Sequence, residues 1–112
     1  MKRHVKAGLA GITLLAACAA HVPALADNSQ RALGEEIATR QCAGCHGIHT
    51  AKGVTIQGVY VPSLSEVANR PNQTPERLQA LITMPAHPMT TPALGDRELR
   101  QLAEYIFSLR AP

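Results

Sequence analysis

Three chemically active side chains lie close together in Cys42-Ala43-Gly44-Cys45-His46. Two thiols three positions apart can each add across one of the two vinyl groups of a single porphyrin, which attaches one haem through two thioether bonds. The histidine that follows the second thiol is then held against the iron as an axial ligand. The spacing therefore predicts that Cys42 and Cys45 attach one haem c covalently and that His46 ligates its iron.

The same cysteine pair is compatible with two other kinds of chemistry. A C-x-x-C pair also occurs in thioredoxin-like redox proteins, but these need βαβ units, which the hydrophobic pattern does not provide. Half a zinc site is the second alternative, although a four-ligand site needs more Cys or well-spaced His than this chain has. Haem attachment is the interpretation that we favour.

A haem that only carries electrons needs a second axial ligand, and the candidates are Met84, Met89, His49 and His87. His49 follows His46 too closely to reach the opposite face of the haem. Met84 ends a predicted helix, where a methionine is commonly core filler. Met89 lies in a segment that three prolines stiffen into an extended path suited to holding a thioether against iron. We predict Met89 as the ligand, with His87, Met84 or an open site as alternatives.

The N-terminus has the pattern of a secretory signal peptide. A basic start precedes an apolar stretch over residues 7–20, and Ala24-Leu25-Ala26 provides an A-x-A cleavage site. The apolar stretch is too short to span a bilayer comfortably. We predict that residues 1–26 are removed on export and that residues 27–112 form one periplasmic domain.

Lipidation competes with this cleavage, because Leu15-Ala16-Ala17-Cys18 resembles a bacterial lipobox. The segment after Cys18 is not the polar tether that lipoproteins usually have, so we favour cleavage after Ala26. Association with a membrane is expected only if Cys18 is lipidated.

All of the formal net charge of +3 belongs to the predicted leader. Lys2, Arg3 and Lys6 lie in the leader, whereas all 8 acidic residues follow it, so the remaining 8 basic residues are balanced. A domain without net charge gives no basis for nucleic-acid binding, and no nucleic-acid motif rises above chance.

Helices are expected to position these groups. Apolar spacing and capping residues predict a first helix at roughly Ser29–Gln41, with cap candidates Asp27, Asn28 and Ser29. A short helix is expected at about Pro62–Ala68, and a third from Thr74 to before Pro85. The last helix is expected to start at an N-cap at Gly95 and to bury the stripe Leu99, Leu102, Ile106 and Leu109. Residues 47–61 are interpreted as a loop whose partial alternation permits a short strand or hairpin.

These features together resemble a class I cytochrome c in its small monohaem bacterial form. The resemblance covers the whole predicted domain, and Cys42–His46 is its most specific element. It implies an all-α fold of three to four helices around one covalently attached haem. The first and last helices are expected to cross where Tyr105 packs on Gly34.

The resemblance also implies roles around the haem. In Val61-Pro62-Ser63-Leu64, the carbonyl of Pro62 is expected to accept the free N–H of His46 and so to orient that ligand. Leu102, in the pattern of the last helix, is expected to pack on the haem. Met89 corresponds to the distal methionine of the family.

Two classes of function follow. The first is a periplasmic electron carrier without enzyme activity, whose partners are redox proteins such as a periplasmic dehydrogenase, a quinol-oxidising complex or a terminal oxidase. The alternative is a haem-based sensor or a peroxidase-like enzyme with an open sixth iron site. That alternative needs a distal acid or base, for which His87 is the only sensible candidate.

Overall fold

The computed structural model describes residues 22–86 and 89–112, and its elements follow the chain in the order α1 (Val22–Gln41), β1 (Val54–Ile56), β2 (Val59–Val61), α2 (Leu64–Ala68), α3 (Pro75–Thr83) and α4 (Asp96–Phe107). The expected all-α class is confirmed, with the addition of one small sheet. The predictions that concern Cys18 and His87 lie outside the described residues. No helix in the described part of the chain is both long enough and apolar enough to cross a membrane.

Helix α1 begins at Val22 rather than at the predicted Ser29. Pro23 is tolerated in a first helical turn, and residues 24–26 are good helix formers, so the helical backbone starts upstream of the predicted cap. The Ser29 hydroxyl donates to the carbonyl four residues before it (2.9 Å) and therefore lies inside the helix. The predicted cap at residues 27–29 is wrong for the full chain.

Helices α2 and α3 both begin at a hydroxyl cap. Ser63 Oγ accepts from the backbone N–H three residues further on (3.1 Å), so α2 starts at Leu64 instead of near Pro62. Thr74 Oγ1 accepts from the corresponding N–H of α3 (3.2 Å). Helix α3 ends before the proline that follows it, as the sequence predicted.

Strands β1 and β2 form an antiparallel hairpin within the segment interpreted as a loop. Val54 pairs with Val61, and the two residues between the strands are Gln57 and Gly58. Both have positive φ (48° and 80°), which is the geometry of a tight turn that matches the twist of the strands. The hairpin that the alternation permitted is therefore present.

Helix α4 is the element against which α1, α2 and α3 all pack. It starts at the predicted N-cap, where Glu98 Oε2 accepts from Gly95 N (3.1 Å). The buried residues of α4 lie between positions 101 and 106. The core around them comprises Ile37, Ala38, Ile48, Leu64, Ala68, Leu78, Ile82, Leu102, Ala103, Tyr105 and Ile106.

Helices α1 and α4 come closest at Gly34. A Cβ atom built on Gly34 would meet the carbonyl oxygen of Gln101 and would lie 2.6 Å from Cβ of Tyr105. The Tyr105 side chain is only 3% exposed. The expected packing of Tyr105 on Gly34 is confirmed, and the glycine is needed because the backbones are too close for any side chain.

Substituting Gly34 by alanine tests this contact, because helix propensity and packing predict opposite signs. Propensity alone would stabilise the helix by about 1 kcal/mol. The added methyl group instead forces α1 and α4 apart, so we expect a net loss of about 1–3 kcal/mol in the free energy of unfolding, measured by urea denaturation.

Gly44→Ala is the matched control, since a Cβ there has no neighbour within 4 Å. A Gly34→Ala protein that is as stable as the wild type would show that the helices are not held in this close contact.

Candidate functional site

The three predicted haem-binding side chains lie on a turn that continues the end of α1. Cys42 N donates to Ala38 O (2.8 Å), and the Cys42 carbonyl accepts from both Cys45 N (3.1 Å) and His46 N (2.8 Å). These bonds keep the motif at helical i, i+3 and i+4 spacing, which places the side chains on one side of the backbone. The two thiols and the imidazole thus share one side of this turn.

The two thiols differ in their surroundings. Cys42 is partly buried against the hydrophobic core, and this burial raises the pKa of its thiol, whereas Cys45 is exposed. Redox-active C-x-x-C motifs lower the pKa of their attacking thiol, which is the opposite direction. The described residues also contain no βαβ unit. The redox interpretation therefore gains no support.

The zinc interpretation also lacks ligands. Within residues 22–86 and 89–112, no three His, Cys, Asp or Glu side chains group closely enough to hold a metal ion. His49 is exposed on the surface, with its Nε2 3.4 Å from Glu35 Oε1.

The ring of His46 is oriented by a single short hydrogen bond. Its Nδ1 lies 2.7 Å from the carbonyl oxygen of Pro62. Because a carbonyl only accepts, Nδ1 must carry the proton and donate it, so the neutral ring has its lone pair on Nε2. An imidazole in this tautomer is ready to bind a metal through Nε2.

Backbone contacts hold Pro62 beside the motif. Leu64 N donates to Gly47 O (2.9 Å), which ties the residue after His46 to the start of α2. The side-chain bond of His46 to Pro62 and this backbone bond between Gly47 and Leu64 join the same two segments of chain. The motif and the Pro62 carbonyl are therefore fixed relative to each other.

The carboxylate of Glu66 anchors the other side of this segment. Its Oε2 accepts from Ser63 N (2.9 Å) and from Gly53 N (2.8 Å). The hydroxyl of Tyr60 donates to both carboxylate oxygens (2.8 and 2.9 Å). Glu66 thus connects the hairpin and the loop before it to the start of α2.

These bonds favour the charged form of Glu66. The backbone N–H of Ser63 is the largest cause that lowers the pKa of Glu66, followed by the hydroxyl of Tyr60. The bond to the carboxylate in turn raises the pKa of the Tyr60 phenol, which therefore stays a donor. Sequence reasoning missed Glu66, although Ser63 and Glu66 have the spacing of a capping box, S-x-x-E, and this signal could have identified it.

The other predicted site residues lie on three different parts of the fold. Met89 is in the segment between α3 and α4 and is 39% exposed. Met84, at the C-cap of α3, is 76% exposed, so its interpretation as core filler is wrong. Leu102 is fully buried among the core side chains of α4. The described structure gives Leu102 a core role, and its contact with haem stays a prediction.

The donor set suits a haem. Two thiols on one turn match the two thioether bonds, and a neutral imidazole with a free Nε2 matches an axial ligand to iron. Exposed methionine thioethers at Met84 and Met89 supply soft ligands of the kind that iron accepts in cytochromes.

Comparison with known proteins agrees with this donor set. Residues 29–106 match the family described as cytochrome C oxidase, cbb3-type, subunit III. The chain belongs to this family. It is a small monohaem class I cytochrome c, an electron-transfer haem protein whose haem c, with its iron, is bound covalently.

One curated relative is also a cytochrome c by name. Cytochrome c-552 of Bradyrhizobium diazoefficiens is 36% identical to this cytochrome over 95 residues, which cover 80% of this chain and 89% of the relative. No solved structure matches the cytochrome at a significant level.

Cysteine substitution tests which residues attach the haem of this cytochrome. We expect Cys42→Ser or Cys45→Ser to weaken attachment, because one thioether bond is lost, and the double variant to abolish it. The measurement is haem staining of the denatured polypeptide after expression with a cytochrome c maturation system.

His49→Ala is the control, because this exposed imidazole lies just beyond the motif and is expected to leave haem staining unchanged. Retention of stained haem by the double cysteine variant would contradict the assignment.

Proposed function

We propose that this cytochrome is a periplasmic one-electron carrier, with its haem bonded to Cys42 and Cys45 and its iron ligated by His46 and Met89. Haem iron supplies a one-electron Fe(III)/Fe(II) couple. The remaining work of the protein is to hold that iron in one ligand environment in both oxidation states. No further catalytic group is needed, so we propose no enzyme activity.

The observation that carries this proposal is the 2.7 Å contact between His46 Nδ1 and Pro62 O. This contact fixes the tautomer and the orientation of the His46 ring without any contribution from a metal. A histidine ligand whose second nitrogen donates to a carbonyl is also a more basic ligand. We propose that Pro62 has this orienting role and that His46 binds iron through Nε2.

Met89 is the better of the two exposed methionines as second ligand. In the sequence, Pro85 and Pro88 precede Met89 and Pro92 follows it, a pattern that favours a stiff, non-helical segment around the thioether. A thioether ligand favours Fe(II) and raises the reduction potential, whereas a second imidazole would lower it. We also propose that Leu102 supports the haem, as the family resemblance implies.

The partners of an electron carrier are other redox proteins. With a balanced charge over residues 27–112, this cytochrome has no strong overall field to steer its association. Docking through a small and partly apolar surface fits that charge balance. The family description names an oxidase, which favours a terminal oxidase among the proposed partners, beside a dehydrogenase or a quinol-oxidising complex.

Export rests on the leader pattern, and the start of α1 is compatible with cleavage after Ala26. Leu25 is 70% exposed, so its removal takes nothing from the core. The first side-chain bond from α1 to α4 lies beyond the cleavage point, where Gln101 Nε2 donates to Gln30 Oε1 (2.7 Å). Cleavage would leave this contact intact.

Replacement of Met89 by alanine tests the ligand assignment. The wild-type haem protein is expected to be low-spin and indifferent to CO, because both axial positions are filled. Met89→Ala is expected to bind CO and to have a lower reduction potential, because the thioether is lost. Absorption spectra with and without CO, together with a potentiometric titration, measure both effects.

Met84→Ala is the matched control, since it removes an equally soft but more exposed thioether and is expected to change neither property. A Met89→Ala protein that keeps its potential and still refuses CO would contradict ligation by Met89. A wild-type protein that binds CO would favour the sensor or peroxidase-like alternative.

The intact mass of the exported protein tests the localisation. Expression with the native N-terminus is expected to yield a periplasmic holoprotein that begins at Asp27. A membrane-bound product with lipid on Cys18 would overturn cleavage after Ala26 and favour the lipobox.

A further inference from the structure

One peptide group in this cytochrome is hydrogen-bonded on both sides. Its carbonyl is that of Pro62, which accepts from His46 Nδ1 (2.7 Å). Its N–H is that of Ser63, which donates to Glu66 Oε2 (2.9 Å). The C=O and N–H of one amide share a delocalised π system, so a charge that pulls on the N–H also polarises the carbonyl.

The carboxylate that pulls on this N–H is charged and held in place. Gly53 N and the Tyr60 hydroxyl fix its position, and Lys52 adds a favourable positive charge nearby. The carboxylate therefore cannot turn away from Ser63 N without losing its other hydrogen bonds. The result is a continuous connection from a fixed negative charge to the proximal imidazole.

We propose that Glu66 is a positioning residue that lowers the reduction potential of the haem, acting on His46 through the Pro62–Ser63 peptide group. The inference rests on the proposed function, because it requires His46 to be the iron ligand. Neither the family description nor the relative's name assigns a role to Glu66.

The sign of the effect follows from the direction of polarisation. A negative charge at the N–H makes the Pro62 carbonyl oxygen more negative, and the hydrogen bond from His46 Nδ1 becomes stronger. The imidazole then carries more electron density and donates more strongly through Nε2. Fe(III) gains more from a stronger donor than Fe(II) does, so the potential falls.

Glu66 also has a structural role, and the test must separate the two. Glu66→Gln keeps the length of the side chain and an acceptor oxygen for the amides of Ser63 and Gly53, but it removes the charge. Glu98→Gln is the matched control, because Glu98 has the same place in the cap of α4 and accepts from Gly95 N. It removes an equal charge from a peptide group that does not contact His46.

Ser63→Ala controls for loosening of α2. It removes the hydroxyl that accepts from Glu66 N, but it leaves the bond from Ser63 N to the carboxylate. If the potential responds to helix capping alone, this variant and Glu66→Gln will behave alike.

The experiment is spectroelectrochemical titration of the full, haem-loaded protein at neutral pH, in enough salt to screen surface charges. We expect Glu66→Gln to shift the midpoint potential upward by clearly more than Glu98→Gln or Ser63→Ala. The proton resonance of His46 Nδ1–H in the reduced protein is expected to move upfield as its hydrogen bond weakens. A shift no larger than that of the two controls, or an unmoved resonance, overturns the inference.

Tyr60→Phe gives a second and independent test, which also decides the matter if Glu66→Gln does not fold. It takes one donor from the carboxylate and keeps the charge, while Gly53 N and Ser63 N still hold Oε2, so more of that charge acts on Ser63 N and the potential is expected to fall. General loosening of the hairpin would instead shift the midpoint potentials of Glu66→Gln and Tyr60→Phe in the same direction. A rise in Tyr60→Phe would therefore overturn the inference.

The reduced wild-type spectrum separates this inference from the proposed function. If the NMR signals of the His46 ring in the wild type show that it does not ligate iron, the proposed function and this inference are both overturned. Normal ligation, together with a midpoint potential that neither Glu66→Gln nor Tyr60→Phe changes, would overturn only the inference.

Discussion

The distance between α1 and α4 at Gly34 is the constraint on which the site depends. The motif that carries both thiols and His46 directly follows α1, and α4 packs against α1, α2 and α3. A wider separation at Gly34 would move the motif relative to the start of α2, where the Pro62 carbonyl lies. A hydrogen bond needs a narrow range of distance and angle, so the orientation of His46 depends on a contact made elsewhere in the molecule.

The second requirement is that the Pro62 carbonyl is held in a fixed position. The ring of Pro62 fixes the φ angle that leads into the Pro62–Ser63 peptide group, and hydrogen bonds restrain both the C=O and the N–H of that group. The hairpin contributes through Tyr60, which contacts the carboxylate of Glu66. A surface hairpin with little core of its own thus helps to support the carbonyl that orients His46.

Local sequence was sufficient to predict the structure wherever a residue type has one common structural role. Gly34 predicted close packing because glycine is costly inside a helix, and Thr74 predicted a cap because its hydroxyl accepts from the next turn. The start of α1 was not predictable, because residues 24–26 extend the helix past a reasonable cap. Gln57 also gave no turn signal, because glutamine rarely adopts positive φ. The role of Glu66 depends on its contact with Gly53, which arises only from tertiary structure.

The position of α4 at the end of the chain has a consequence for the order of assembly. On an exported polypeptide, α1, α2 and α3 emerge first, and their apolar faces have no common partner until Leu102 and its neighbours arrive. On the proposed assignment of Cys42 and Cys45 as attachment sites, both thiols would then be accessible to the machinery that joins them to haem. Only then does the last helix close over the core. Export from the N-terminus, as proposed above, would thus place the covalent chemistry ahead of final folding.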